Sequence, residues 1–338
     1  MKICFYLEFY HFLGGVLFKK IGTGLLYSYK NQKVILNSLG IPFTEKWDDS
    51  CDILQINTPW LKSLYLIKKA KRQDKPVIIW SHVTAEDIKG VFRFSFILSP
   101  IAKKYLTYAY GLADLIFSPS EYTKSLLIAY GIPAGKIIVM SNGVDLKKIY
   151  QDAGKREPYR KEYNLKFPAI GTVGLAIPRK GIDTFLNLAR KFSDKQFIWY
   201  GKIYSPIFVK ALPKKLPENV RFTGYVEDQN AAFNSLDIFI FPSFEENEGM
   251  AILEAASVEL PILVRDIPVY NGWLIHGVNC LKAKNEKEFE DYLNQLTNDE
   301  NLRKKLGENA KILAQEKSTE VLKVKTLSIY KKLLEKAK

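Results

Sequence analysis

Two glutamates, Glu246 and Glu254, stand eight residues apart, with Gly249 between them. A carboxylate in a loop that follows a strand can accept hydrogen bonds from sugar hydroxyls. A second one, about two helical turns further on, faces the same side and can hold a ribose. The surroundings suit that chemistry. The apolar run from Leu236 to Phe241 reads as a buried parallel strand ending at a Pro242-Ser243 turn, and Met250 to about Val258 reads as a helix. A strand, a glycine loop and a helix N-terminus form a corner for anions and hydroxyls. The alternative is two solvated acids at a helix start, which the helix dipole favours by itself. Glu245 and Glu248 lie nearby, but only Glu246 has the eight-residue offset to Glu254.

Other residues could complete such a site. Gly171–Gly174 ends a strand and Pro178–Gly181 opens the next helix, so free N–H groups there, with Lys180 and Arg179, could clamp a diphosphate. Gly224–Asp228, with Val226, follows another strand and could seat a base and ribose through its backbone; alone it is only a turn. His82 follows the strand Val77–Trp80, where it is either a cleft residue hydrogen-bonding near a sugar or a core histidine. Glu86 and Asp87 either orient an acceptor hydroxyl or cap the next helix. Gly14 and Gly15 follow the first strand and its loop, with Gly22 and Gly24 close by.

Positioning these groups takes a particular framework. Ile3–Phe9, Ile53–Ile56, Val77–Trp80, Leu115–Phe117 and Ile137–Met140 read as strands, separated by amphipathic stretches such as Tyr27–Leu39 and Trp60–Lys71. The polar stretch Lys147–Tyr163, with Gly154 and Pro158, reads as a linker. The alternation then restarts with Ala169–Val173, Gln196–Tyr200, Val220–Phe222, Ile238–Phe241 and Ile262–Val264, and 286–338 reads as all-helical. This predicts an α/β protein of two doubly wound, Rossmann-like domains, 1–150 and 151–318, with ligands at the carboxyl ends of the strands. A last helix, 319–338, is expected to cross back to the first domain.

At 338 residues the chain suits two domains. No segment approaches the apolar length of a membrane span, and the N-terminus reads as a strand rather than a signal peptide. Cys4, Cys51 and Cys280 are scattered, so neither a metal cluster nor a disulfide framework is expected, and a reducing cytoplasm fits. The formal net charge is +14, and residues 1–150 hold 20 Lys/Arg against 11 Asp/Glu. Such a field attracts phosphate-rich partners, although it also serves plain solubility. Leu61–Lys75 carries six cationic residues and one acid, and Lys89–Tyr110 interleaves Lys89, Arg93, Lys103 and Lys104 with aromatics. Basic amphipathic stretches of this kind lie on anionic membrane surfaces; for 61–75 the competing reading is a solvated helix face. A nucleic-acid binder is disfavoured, because the cations are spread over two α/β domains without a recognised motif.

In order along the chain, Asn142–Asp145, Pro178–Gly181, Gly224–Val226, Phe241–Glu254 and Gly277–Asn279 resemble glycosyltransferase family four, retaining enzymes of the GT-B fold. Ser81–Asp87, Pro119–Lys124, Gln196–Gly201, Arg265–Tyr270 and Trp273 are more narrowly similar to bacterial diacylglycerol glucosyltransferases. The resemblance implies that Glu246 touches the donor sugar and Glu254 the ribose. It also implies that Asn247, Glu248 and Gly249, beside Met250, present backbone N–H groups to the sugar, that Lys180 holds the diphosphate, and that Gly15 approaches the donor phosphate. His82 then lies near the reacting centre, with the leaving phosphate itself as base. The family carries Arg five residues before Lys180, where this chain has Leu175; Arg179 is the candidate substitute.

The resemblance further implies a metal-independent transfer of glucose from UDP-glucose to the 3-hydroxyl of diacylglycerol, by an enzyme peripheral on the inner face of the cell membrane. The alternatives are transfer onto monoglycosyl-diacylglycerol, or onto a polyprenyl-linked or soluble glycan.

Overall fold

The computed structural model describes residues 1–8, 24–88, 95–203 and 215–337. Two six-stranded sheets, every pairing parallel, form its framework. The first contains β1 (Ile3–Tyr6), β2 (Phe43–Thr44), β3 (Ile53–Ile56), β4 (Val77–Trp80), β5 (Leu115–Ser118) and β6 (Ile137–Val139), in the order β2-β1-β3-β4-β5-β6. The second contains β7 (Ala169–Val173), β8 (Gln196–Tyr200), β9 (Val220–Gly224), β10 (Ile238–Phe241), β11 (Ile262–Arg265) and β12 (Leu281–Ala283), in the order β12-β11-β10-β7-β8-β9. Parallel strands require crossovers, and helices on both faces bury them, which is why β1, β4 and β10 read as unbroken apolar runs and β3, β5 and β11 carry a single polar residue each.

The strand order reverses between β7 and β10. Ligands of doubly wound sheets sit at such a switch point. The loops leaving β7 and β10 carry Pro178–Lys180 and Glu246.

One expectation changes, and another falls partly outside the described residues. The stretch expected as a linker is mostly the helix Ala153–Glu162, capped by the Asp152 side chain, and Arg156 and Arg160 tie it to Asp237 below β10. The aromatic-basic stretch Lys89–Tyr110 contains the helix Ser95–Gly111, while residues 89–94 lie outside the described part. The last helix, Thr319–Ala337, leaves the second sheet's side at Ser318, which bridges Val144, and packs on the first. Its Tyr330 is buried in the cluster that includes Phe5, Tyr29, Trp80 and Phe117.

Candidate active site

A cleft of about 420 Å3 opens between the two sheets. Its lining includes His82, Asp87, Arg179, Lys180, Glu246 and Glu254. Two glycines draw its loops together. Gly181 has φ +79°, and a Cβ there would lie 2.2 Å from the Pro242 carbonyl oxygen; only glycine lets the Pro178–Lys180 turn press onto the loop after β10. Gly249 has φ +93° and is the N-cap of the helix Met250–Ser257.

That contact seats Lys180 against Glu246, and the two form an ion pair. Burial opposes ionisation of Glu246, but Lys180 and Arg179 outweigh it and hold the carboxyl below its usual range. The Lys180 ammonium also lies 4.8 Å from the centroid of Phe241. Among the described residues, the N–H groups of Asn247, Glu248, Gly249 and Met250 donate no hydrogen bond. They sit at the start of a helix whose dipole favours negative charge, beside a carboxylate that accepts hydroxyls.

Glu254 lies on that helix, at the other end of the cleft's acidic edge. Burial raises its carboxyl to about 7, with Lys148 pulling the other way. Lys148 lies 4.6 Å from the ring of Tyr27, so a tyrosine and a lysine from the first domain's side stand near the second-domain acid. Val226 and Met250, both mostly buried, also line the cleft.

The remaining expected residues take varied positions. Asn247 straps the domains together: its side-chain amide donates to the His82 carbonyl at 2.9 Å and to Asp87, and its own carbonyl and amide oxygens accept from Thr123. The Glu248 side chain reaches the segment joining the domains, where it accepts from the Asn142 N–H at 2.8 Å and lies 3.6 Å from the Lys317 ammonium. Asp87 reciprocates hydrogen bonds with Thr84 as a capping box and also meets Arg179 at 3.3 Å across the cleft. Burial pushes the Asp87 carboxyl up, with Arg179 opposing.

Glu86 is not brought to the cleft; its carboxylate accepts from the Tyr130 hydroxyl, which in turn accepts from the Ala85 N–H. Gly15 falls outside the described residues.

Arg179, the candidate substitute for the arginine absent at Leu175, lines the cleft. Its guanidinium is held by Asp87 and the Glu245 carbonyl. The sheet register supplies a different cation. Val173 pairs with Tyr200, Ala176 bridges Ile203, and the Ala176 N–H donates to the Lys202 carbonyl at 3.0 Å. Leu175 therefore lies beside Lys202, and both line the cleft. Sequence reasoning passed over Lys202, although it stands two residues beyond the strand end Tyr200, where ligands of such sheets bind.

His82 stacks on Trp80 with ring centroids 5.2 Å apart, and its Nε2 lies 3.4 Å from both Ser28 Oγ and Asn57 Oδ1. Burial lowers its pKa to about 3, so the ring is neutral at physiological pH. No group of three or more His, Cys, Asp or Glu side chains placed to hold a metal ion occurs among the described residues.

A strand-ended, helix-capped corner facing a second Rossmann-like domain is the arrangement of the GT-B glycosyltransferases. Residues 155–313 match the family described as glycosyl transferases group 1, and residues 31–148 match glycosyltransferase family 4. The chain is 32% identical over 311 residues to a processive diacylglycerol alpha-glucosyltransferase of Acholeplasma laidlawii, covering 90% of this chain and 91% of that protein. It is 28% identical to an alpha-galactosylglucosyldiacylglycerol synthase of Streptococcus pneumoniae, covering 93% and 87%. Its fold matches the crystal structure of Anabaena HepE in complex with UDP and glucose at a TM-score of 0.77 and 15% identity, covering 98% of this chain and 100% of that one. The chain belongs to glycosyltransferase family four.

Proposed function

We propose that this enzyme transfers glucose from UDP-glucose to the 3-hydroxyl of diacylglycerol at an anionic membrane surface, with retention at the anomeric carbon. The observation that carries the donor half is the ion-paired Glu246 beside a run of unspent N–H groups, facing His82 across the cleft. Glu246 accepts from the sugar hydroxyls, Glu254 from the ribose, and Val226 borders the base. The diphosphate lies among the helix N-terminus, Lys180 and Lys202, whose positive charges offset the charge that develops on the leaving group. These cations support transfer without a metal.

In the reacting step the bond from C1 to the UDP oxygen breaks and a bond from C1 to the acceptor oxygen forms on the same face. The acceptor proton passes to the departing β-phosphate. Asp87 is engaged by Thr84, Asn247 and Arg179, which makes it a structural acid rather than a covalent nucleophile.

The acceptor half is supported by the relatives' lipid substrates and by the first domain's surface. The helix Leu61–Lys71 buries Leu66, Ile67 and Ala70 against the sheet and turns Leu61 (79% exposed) and Tyr65 (63%) outward beside Lys62 and Lys68. The helix Ser95–Gly111 exposes Ile101 (66%) and Tyr108 (52%) beside Lys103 and Lys104. Trp60 and Tyr105 stack between them, with centroids 5.9 Å apart. Apolar side chains set among lysines suit a headgroup layer. No described helix is long and apolar enough to cross a membrane.

The deciding experiment is a transfer assay with labelled UDP-glucose and mixed micelles. It compares diacylglycerol with monoglucosyl-diacylglycerol, with and without anionic lipid. Product from diacylglycerol supports the proposal; product only from the monoglucosyl lipid moves the enzyme to the second step. Absence of lipid product, with UDP-glucose still bound, rejects the acceptor half.

A further inference from the structure

Behind His82 runs a chain of buried polar side chains that the reaction does not touch. Ser28, Gln32, Gln55, Asn57, Asn142 and Tyr330 are each less than a tenth exposed. They come from the helix Gly24–Ser38, from β3 and the residue after it, from the segment joining the domains, and from the last helix. The links are Tyr330 to Gln55 Oε1 at 2.5 Å, Gln55 Nε2 to Gln32 Oε1 at 2.8 Å, and Gln32 Nε2 to Asn57 Oδ1 at 2.8 Å and Ser28 Oγ at 3.1 Å.

The direction of this chain follows from what its ends can do. The backbone carbonyl of Tyr6 can only accept, and the Asn57 amide nitrogen faces it at 3.5 Å. Asn57 therefore turns Oδ1 toward Gln32 and His82. Gln32 must then present its nitrogen to Asn57 and its oxygen to Gln55. Gln55 must present its nitrogen to Gln32 and its oxygen to Tyr330, whose hydroxyl must donate. Ser28 has one proton and gives it to Asn142 Oδ1 at 2.7 Å, so toward His82 it can only accept. The Nε2 of His82 thus faces two acceptors, Asn57 Oδ1 and Ser28 Oγ.

We propose that Tyr330, Gln55 and Gln32 are positioning residues whose one-way hydrogen-bond relay holds His82 as its Nε2–H tautomer, leaving Nδ1 as the lone-pair nitrogen available to a hydroxyl in the cleft. Tyr330 lies on the helix that returns from the second domain, so docking of that helix completes the relay. If Tyr330 loses its hydroxyl, Gln55 Oε1 is left buried without a donor. The relief is to reverse Gln55 and Gln32, which sets Gln32 Oε1 against Asn57 Oδ1 and Ser28 Oγ and so loosens the two acceptors that hold the Nε2 proton. The inference rests on the reading of His82 as a cleft residue of a glycosyltransferase, but its first test does not need activity.

The test is nitrogen NMR of the full chain labelled at histidine. The chain has three histidines, and the signal missing from His82→Gln assigns this one. The expected wild-type spectrum has a pyrrole-type Nε2 and a pyridine-type Nδ1. In Tyr330→Phe and Gln32→Met, the Nδ1–H form gains population. The turnover number falls about fivefold to tenfold, the effect of one buried hydrogen bond, while KM for the sugar nucleotide holds. A wild-type Nδ1–H tautomer or a protonated ring overturns the proposal, and this readout stands even if the variants do not fold. Folded variants with wild-type shifts and turnover overturn it as well. Failure of wild-type transfer with every acceptor, alongside the expected tautomer, would instead reject the reading of the enzyme's function.

Discussion

Lys202 is the residue on which the donor half can be tested most sharply. Arg179 and Lys180 are both engaged with protein acids, Asp87 and Glu246, whereas Lys202 lines the cleft beside Leu175. A charge-assisted hydrogen bond to a phosphate contributes about 1.5–3 kcal/mol net, so Lys202→Ala should weaken UDP binding about 10- to 150-fold. The register makes a rescue available. Because residues 175 and 202 are neighbours just beyond the paired ends of β7 and β8, Leu175→Arg in the Lys202→Ala background puts a guanidinium next to the lost ammonium. Calorimetric titration with UDP on the wild type, Lys202→Ala and the double variant reads the effect without needing an acceptor. The double variant is expected to recover at least about tenfold of the loss. Lys202→Ala binding UDP within about twofold of wild type would refute the reasoning, since a phosphate ligand cannot be removed at so small a cost.

Further outcomes can be checked in the same preparations. Glu246→Gln should lower turnover about a hundredfold, because the charged acceptor preorganised by Lys180 becomes a neutral amide; wild-type turnover from the folded variant would remove Glu246 from the site. Glu254 is raised by burial from 4.5 to about 7, so its stabilising proton is fully held below about 4.5 and lost as pH rises through about 7. Glu254→Gln should therefore gain in melting temperature relative to wild type across that window, and a difference independent of pH would contradict the assigned burial. Each lysine near an anionic surface contributes about 1 kcal/mol, so reversing Lys62, Lys68 and Lys104 together should abolish salt-sensitive vesicle binding. Equal sedimentation of wild type and the triple variant with anionic vesicles would exclude that face.

The alternation of apolar runs with amphipathic stretches was enough to place most of the strands. Val77–Trp80, Ala169–Val173 and Ile238–Phe241 were legible to the residue, because strands buried on both faces are dominated by apolar side chains. Short edge strands such as β2 and β12 left no such mark. The segment Ala153–Glu162 has the local character of a linker, because Gly154 and Pro158 are helix breakers; its cap at Asp152 and its arginines on Asp237 overrule that preference.

Within the site, the offset between Glu246 and Glu254 was visible because helix periodicity alone puts a loop acid and a helix acid on one side. Which partner each charged group chooses was not visible. Arg179 turns to Asp87, 92 positions away, and Glu248 turns to Asn142, 106 positions away. Lys202 becomes a neighbour of Leu175 only once β7 and β8 pair. His82 meets a relay whose far end, Tyr330, is supplied by the last helix. The sequence by itself determined most of the elements, their parallel packing in two domains and the family of chemistry, since those depend on local periodicity and short spacings. The tertiary structure decided the direction of each side chain and the pairing of each charge, because both depend on contacts between segments distant along the chain.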